Sequence, residues 1–302
     1  MMSHFSSKIL MISPNKFRNN EHTLLDNVFQ SKKTNQNQIE HLAIKEFNRL
    51  RELISNSGIE VFSFYDDSKF DTPDAVFPNN WISFHYHRKA ILYPMSAPNR
   101  RFERESKILD KLSDFGIEIE LINDYSLYEN KNRFLEGTGS IVLDRKSKKA
   151  YCSLSGRSDL SLFKKFCSDM NYIPVVFNSS HESKPIYHTN VMMSICNNFT
   201  IICLDSIRDK NERNYVIENL NNSGLEIIDI SINQMTSFLG NCIQLINSNQ
   251  SPVLIMSSRA FNSITKSQIK RIESYTEIIH ADIKTIEDNG GGSARCMIAE
   301  IF

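Results

Sequence analysis

The chain has 302 residues, 40% hydrophobic and 23% charged, and its 35 basic and 35 acidic side chains cancel. That globular profile gives a general nucleic-acid or anionic-membrane binder no net charge to work with, and it leaves room for one large domain or two ordinary ones. No run approaches the ~20 apolar residues needed to cross a bilayer, and the N-terminal MMSHFSSKILMI carries neither a long apolar stretch nor a cleavage signal, so a cytoplasmic location without a membrane partner is expected.

In chain order, one pattern recurs five times: an amphipathic helix, a Gly or polar break, then a strand. Ile39, Leu42, Phe47, Leu50, Leu53 and Ile54 predict the first helix, which Gly58 ends before the strand IEVFSFYDD. Phe102, Ile108, Leu109, Leu112 and Phe115 predict the second, followed by Gly116 and IEIELIND. LFKKFCSDM leads through Asn171 to YIPVVFN, NYVIENLNNS through Gly224 to LEIIDIS, and SQIKRIES through Tyr275 to TEIIHADI. The breaks lie roughly 50 to 60 residues apart, a spread that loop variation accommodates.

Each copy continues into a second strand, beginning at DAVFPNNWISF, FLEGTGSIVLD, YHTNVMMSIC, FLGNCIQLIN and GGGSARCMIAEIF. Equivalent units would set the polar residues at these entrances, Asn80, Glu136, His188, Asn241 and Cys296, at one level. A closed ring of five ββαβ-like units would point them at a common axis. A doubly wound sheet is the rival architecture. It lacks support from a G-x-G-x-x-G or phosphate loop, and hairpin-like stretches such as SIVLDRKSKKAYCSL interrupt a purely parallel pattern. The Asn- and Ser-rich stretches 30–38 and 177–184 are short enough to be loops, so residues 1–302 are expected to form a single α/β domain.

Six cysteines form no C-x-x-C pair and none has a histidine at ligand spacing, so no metal or organic cofactor is expected. Cys152, Cys196, Cys203 and Cys242 lie in apolar, strand-like stretches and Cys167 on a predicted helix, where a buried thiol acts as a small hydrophobe. Cys296 differs. It follows Gly290, Gly291 and Gly292, whose backbone can approach a ligand closely, and it is expected to be partly exposed with Arg295 nearby to favour the thiolate. His188 has the chemistry of a proton shuttle, and Glu136, in LEGTG, that of the carboxylate that orients an imidazole or activates water. Taken singly, a cysteine is more often structural, a lone histidine surface or core, and a Glu-Gly dipeptide a turn. The repeat is what groups them.

Together DAVFPNNW, PNRRFE, LEGTG, SLSGRSD, YHTN and GGGSARC, in this order along almost the whole chain, resemble the guanidino-group-modifying superfamily, the penteins, and within it most closely the citrulline-hydrolase branch. The resemblance implies a five-unit α/β propeller, Cys296 as nucleophile, His188 as general acid/base and Glu136 as its partner. It further implies that Arg157 and one of Arg100 and Arg101, with Arg100 preferred, hold the substrate α-carboxylate, a task suited to the planar guanidinium fork. Asp74 matches a residue near the substrate amino end, or caps a turn after Pro73.

The departures concern charge. Deiminases of this family grip a cationic guanidinium with acidic residues at positions where this chain has Asn80 and Asn190, and Asn79 replaces an acid found in dimethylarginine hydrolases. An amide can donate to a neutral urea oxygen and accept from its NH₂, whereas a carboxylate facing that oxygen would set acceptor against acceptor, at a cost of about 1–3 kcal/mol. The expected function is therefore hydrolysis of a small ureido amino acid, citrulline first. The alternatives are an arginine or methylarginine deiminase-type hydrolase or amidinotransferase on the same scaffold, or a non-catalytic pentein binding a macromolecule, against which the intact Cys, His and Glu set argues. The partner expected is an amino-acid substrate, not nucleic acid, with homo-oligomerisation left open.

Overall fold

A computed structural model describes residues 4–23, 36–67 and 69–302, with backbone alone at 36, 37, 105 and 106. Among these residues five mixed sheets of three strands each repeat one connectivity. An inner strand pairs antiparallel with a middle strand through a hairpin, and a helix then carries the chain to an outer strand parallel to the middle one. The inner strands are Ile82–His85, Val142–Asp144, Met193–Ile195, Ile243–Ile246 and Ala299–Ile301. The last pairs antiparallel with Lys8–Ser13, with Lys8 opposite Ile301, so the two ends of the chain share the sheet that closes the ring. This is the five-unit α/β propeller expected from the repeat.

The helices Gln36–Asn56, Leu160–Met170, Lys210–Asn222 and Lys266–Glu273 lie where the apolar periodicity places them. Asp159 and Asp209 cap the second and third of these by accepting backbone N–H groups, and Thr265 with Gln268 forms a capping box on the fourth. Gly58, Gly116, Asn171 and Gly224 all adopt positive φ at the helix ends, between 55° and 88°, as a left-handed stop requires. Tyr275 does not; its turn closes with Ser274 still helical.

The second unit departs from expectation. Instead of one helix from Phe102 to Phe115, a 3₁₀ segment Pro98–Ser106 and a short α-helix Ile108–Ser113 meet at Lys107, whose φ of 50° breaks the run. Phe102 and Phe115 are consequently exposed, at 43% and 65%, and Phe115 rests edge-on against Phe62 and Phe64 of the neighbouring sheet. Among the described residues no helix is long and apolar enough to cross a membrane.

Apolar side chains fill the spaces between sheets and helices, with Ile39, Ala43, Phe47, Leu50 and Ile54 of the first helix all buried. Leu10 is fully buried in the strand that joins the first and last units. Leu10→Ala should lower stability by about 2–5 kcal/mol through lost burial and a residual cavity, read as a shift in the urea unfolding midpoint.

Candidate active site

Immediately before each inner strand the chain makes a tight turn, and the five turns gather at one end of the ring. They are Pro78–Asn80, Gly137–Ser140 entered from Glu136, Thr189–Met192 entered from His188, Phe238–Asn241, and Ser293–Cys296. Cross-turn hydrogen bonds stitch them together: Thr138 Oγ1 donates to Asn79 O at 3.3 Å, Thr189 Oγ1 to Ser140 O at 2.6 Å and Asn241 Nδ2 to Asn190 O at 2.9 Å. Close backbone approach demands glycine here. A Cβ at Gly137 would lie 2.3 Å from Asn79 O, and one at Gly290 would lie 2.7 Å from the Phe77 ring.

The arrangement joins Glu136, His188 and Cys296 in one constellation. His188 Nε2 lies 2.8 Å from Glu136 Oε2, while Glu136 Oε1 accepts the Ser96 backbone N–H at 2.9 Å. Arg157 NH1 is 3.5 Å from Glu136 Oε2, and its guanidinium stacks 4.9 Å above Tyr187, the ring packed against His188. Burial alone would raise the Glu136 carboxyl, but the charges of Arg157, His188 and Arg100 outweigh it and hold the group well below the usual carboxylate range. Burial pushes His188 below its ordinary value, against the pull of Glu136. The site therefore sets an ionised carboxylate against a buried, neutral imidazole.

Cys296 is buried, at 3% exposure, rather than partly exposed, because Phe77 covers the Gly290–Gly292 turn; its access is through a narrow pocket that Asp74, Asn80, Arg100, Arg157 and His188 also line. Arg295 makes its hydrogen bonds elsewhere, to Ile298 O at 2.8 Å and Glu300 at 3.4 Å, although its charge still acts on the nearby sulfur. The sulfur itself faces amides, Asn241 Nδ2 at 3.2 Å and Asn190 Nδ2 at 3.5 Å. A second cavity, lined by Asp144, Arg145, Arg295 and Glu300, contains none of the three.

Arg100 lines the pocket with its donors already engaged. It grips Glu103 through Nε at 2.8 Å and NH2 at 3.1 Å, donates to Phe77 O at 3.2 Å, and donates through NH1 to Asn80 Oδ1 at 2.8 Å. Arg101 turns away to Met95 O and Ser96 O. Asp74 accepts from Asn20 Nδ2 at 2.7 Å through Oδ2, and its Oδ1 has no hydrogen-bond partner; burial pushes this carboxyl up. Asn79 Nδ2 likewise has none. Sequence reasoning gave no role to Ser96, which lies in no motif, to Tyr187, present in YHTN but given no part there, or to Asn241, whose place in the repeat was the available signal.

A family model described as N,N dimethylarginine dimethylhydrolase, eukaryotic, matches residues 13–302. No curated protein matches significantly. Among solved structures, the N-terminal domain of ArgZ, an arginine dihydrolase from the ornithine-ammonia cycle in cyanobacteria, superposes with a TM-score of 0.76 at 14% identity, covering 97% of each chain. Unliganded AgrE gives 0.75 at 14% identity, over 98% of this chain and 39% of that one. A dimethylarginine hydrolase variant from Pseudomonas aeruginosa, complexed with citrulline, gives 0.65 at 14%, over 98% and 100%. At such identity the superpositions establish the fold, and the family rests on the sequence match, whose description concerns a guanidino rather than a ureido substrate. On that match the chain belongs to the N,N-dimethylarginine dimethylhydrolase family of the pentein superfamily, hydrolases that act on C–N bonds of guanidino-type groups.

Proposed function

We propose that this chain hydrolyses a small ureido amino acid, citrulline in the leading case, to ornithine, carbon dioxide and ammonia, with Cys296 as nucleophile. The observation that carries the choice of substrate is the orientation of Asn80. Arg100 has donors only, so the amide oxygen of Asn80 must face it, which leaves the amide nitrogen to donate to Asn79 Oδ1, 3.0 Å away, in a side chain that lines the pocket. Asn80 thus offers N–H to a bound group, which suits a carbonyl oxygen. An aspartate there would offer an oxygen, which suits a guanidinium.

In the proposed reaction the Cys296 proton passes to His188 and the thiolate adds to the ureido carbon, with Asn80 N–H against the developing oxyanion. Collapse expels one nitrogen, which takes its proton from His188. Water, deprotonated by His188 beside Glu136, then attacks the thiocarbamoyl adduct and returns the thiol, and the second C–N bond is cleaved as carbamate breaks down. Arg157 holds the substrate carboxylate and Asp74 Oδ1 its ammonium. Arg100 acts through Asn80, as a positioning residue.

A guanidino substrate is the second reading: the family description and the likeness to arginine dihydrolases lean that way, while the unpartnered Asp74 Oδ1 suits the ammonium of either substrate. A dihydrolase must also cleave a ureido carbon in its second step, so the two readings differ in which substrate enters. Ammonia release from citrulline, arginine and methylarginines separates them. The ureido reading expects the highest kcat/KM on citrulline, and a preference for arginine or a methylarginine contradicts it.

Cys296→Ser and His188→Ala should each reduce turnover by at least about 10³-fold, and wild-type rates in either would remove the assignment. Asn80→Asp should lower kcat/KM on citrulline by about 10- to 100-fold and shift the preference towards arginine, in a substrate-competition assay.

The His188–Glu136 pair also predicts acid sensitivity. His188 is depressed in the fold, so the unfolded chain takes the proton first as pH falls through about 6.5 and stability declines. Glu136 is depressed too, so its contribution is complete above about pH 4.3 and is lost as pH falls further. The thermal midpoint should therefore drop in two stages on acidification, and Glu136→Gln should lower it at pH 7 while flattening the second stage.

A further inference from the structure

We infer that Asn241 is a further catalytic residue, a fixed hydrogen-bond donor to the Cys296 sulfur from the side away from substrate; this rests on the reading of Cys296 as nucleophile. Asn241 Nδ2 lies 3.2 Å from Sγ and 2.9 Å from Asn190 O, while its Oδ1 is buried without a hydrogen-bond partner. The contact with Asn190 O fixes the amide. Turning it over would set Oδ1 against the Asn190 carbonyl oxygen, acceptor against acceptor, so the bond to that carbonyl decides which end faces the sulfur. The Asn190 contact has no such constraint, since Nδ2 at 3.5 Å and Oδ1 at 3.8 Å both approach Sγ. A thiol sulfur is a weak acceptor and a thiolate a strong one, so an immobile N–H at this place favours the anionic nucleophile.

The backbone is built for this contact. Phe238 is left-handed, with φ 63°, at the start of the turn that delivers Asn241. A Cβ on Gly240 would lie 2.5 Å from Val191 O, so only glycine lets this turn sit against the one bearing Asn190. Asn80, His188, Arg100, Arg157 and Asp74 meet Cys296 across the substrate pocket, with Glu136 behind His188. Asn241 is not among the residues lining that pocket. Arg295, the remaining charge beside Cys296, is engaged by Ile298 O and Glu300.

The test pairs turnover with thiol reactivity in Asn241→Ala and in Asn241→Asp, which keeps the shape but loses the donor. Expected in both, with far-UV CD and melting temperature near wild type, are kcat and the rate of Cys296 alkylation by iodoacetamide at pH 7 each reduced about 10- to 100-fold. KM should stay within about threefold. Gly240→Ala, which displaces Asn241 without altering it, should slow alkylation too. A folded Asn241 variant whose alkylation stays within about twofold of wild type overturns the inference, as does a rise in KM with alkylation unchanged. Alkylation is read by peptide mass and needs no turnover, so this failure is distinct from that of the nucleophile reading, which falls if Cys296→Ser remains active.

Discussion

The site depends on ring closure. The strand Ala299–Ile301 pairs with Lys8–Ser13, and Cys296 sits just before it, so the pairing that joins the chain ends also sets the sulfur at the turn level of the other four units. Residues more than a hundred positions apart, such as Asn190 and Cys296, become neighbours only through that closure. The site is therefore an outcome of long-range β-pairing, and side chains held by packed turns keep their geometry more firmly than side chains on free loops.

Around the turns lies a network of buried charge. Arg100, Arg157, Asp74, Glu103 and Glu136 are all almost fully buried, a costly arrangement unless each ion is paired. Each has a partner: Arg100 takes Glu103 and approaches Asp74, and Arg157 approaches Glu136. The consequence for chemistry is orientation. Arg100 fixes which end of Asn80 faces the pocket, and Glu136 fixes the face of His188. A buried pocket with its dipoles set beforehand needs little reorganisation when charge develops on a bound group.

The architecture was legible in the residues because its determinants are local. Four of the five helix stops are left-handed Gly or Asn, and the polar residue at each strand entrance marks the turn level. Tyr275 marks the fifth stop by position alone, and the second helix is broken at Lys107, where no Gly or Pro announces the left-handed turn. The meeting of Cys296, His188 and Glu136 followed from the repeat. What stayed hidden were contacts between elements: Phe77 over the Gly290–Gly292 turn, which buries Cys296; Glu300, which draws off Arg295; and Asn80, which engages Arg100 from twenty residues away. None of these has a signature in spacing or periodicity, since each depends on how two separately predicted segments pack.

The central claim, covalent catalysis by Cys296 on a ureido carbon, is met most directly by rapid quenching of the enzyme during citrulline turnover and mass analysis of its cysteine peptides. The account predicts a transient thiocarbamoyl adduct on the peptide bearing Cys296 and on none of the other five cysteines. Steady turnover with that peptide unmodified at every time sampled, or an adduct on another cysteine, would contradict it.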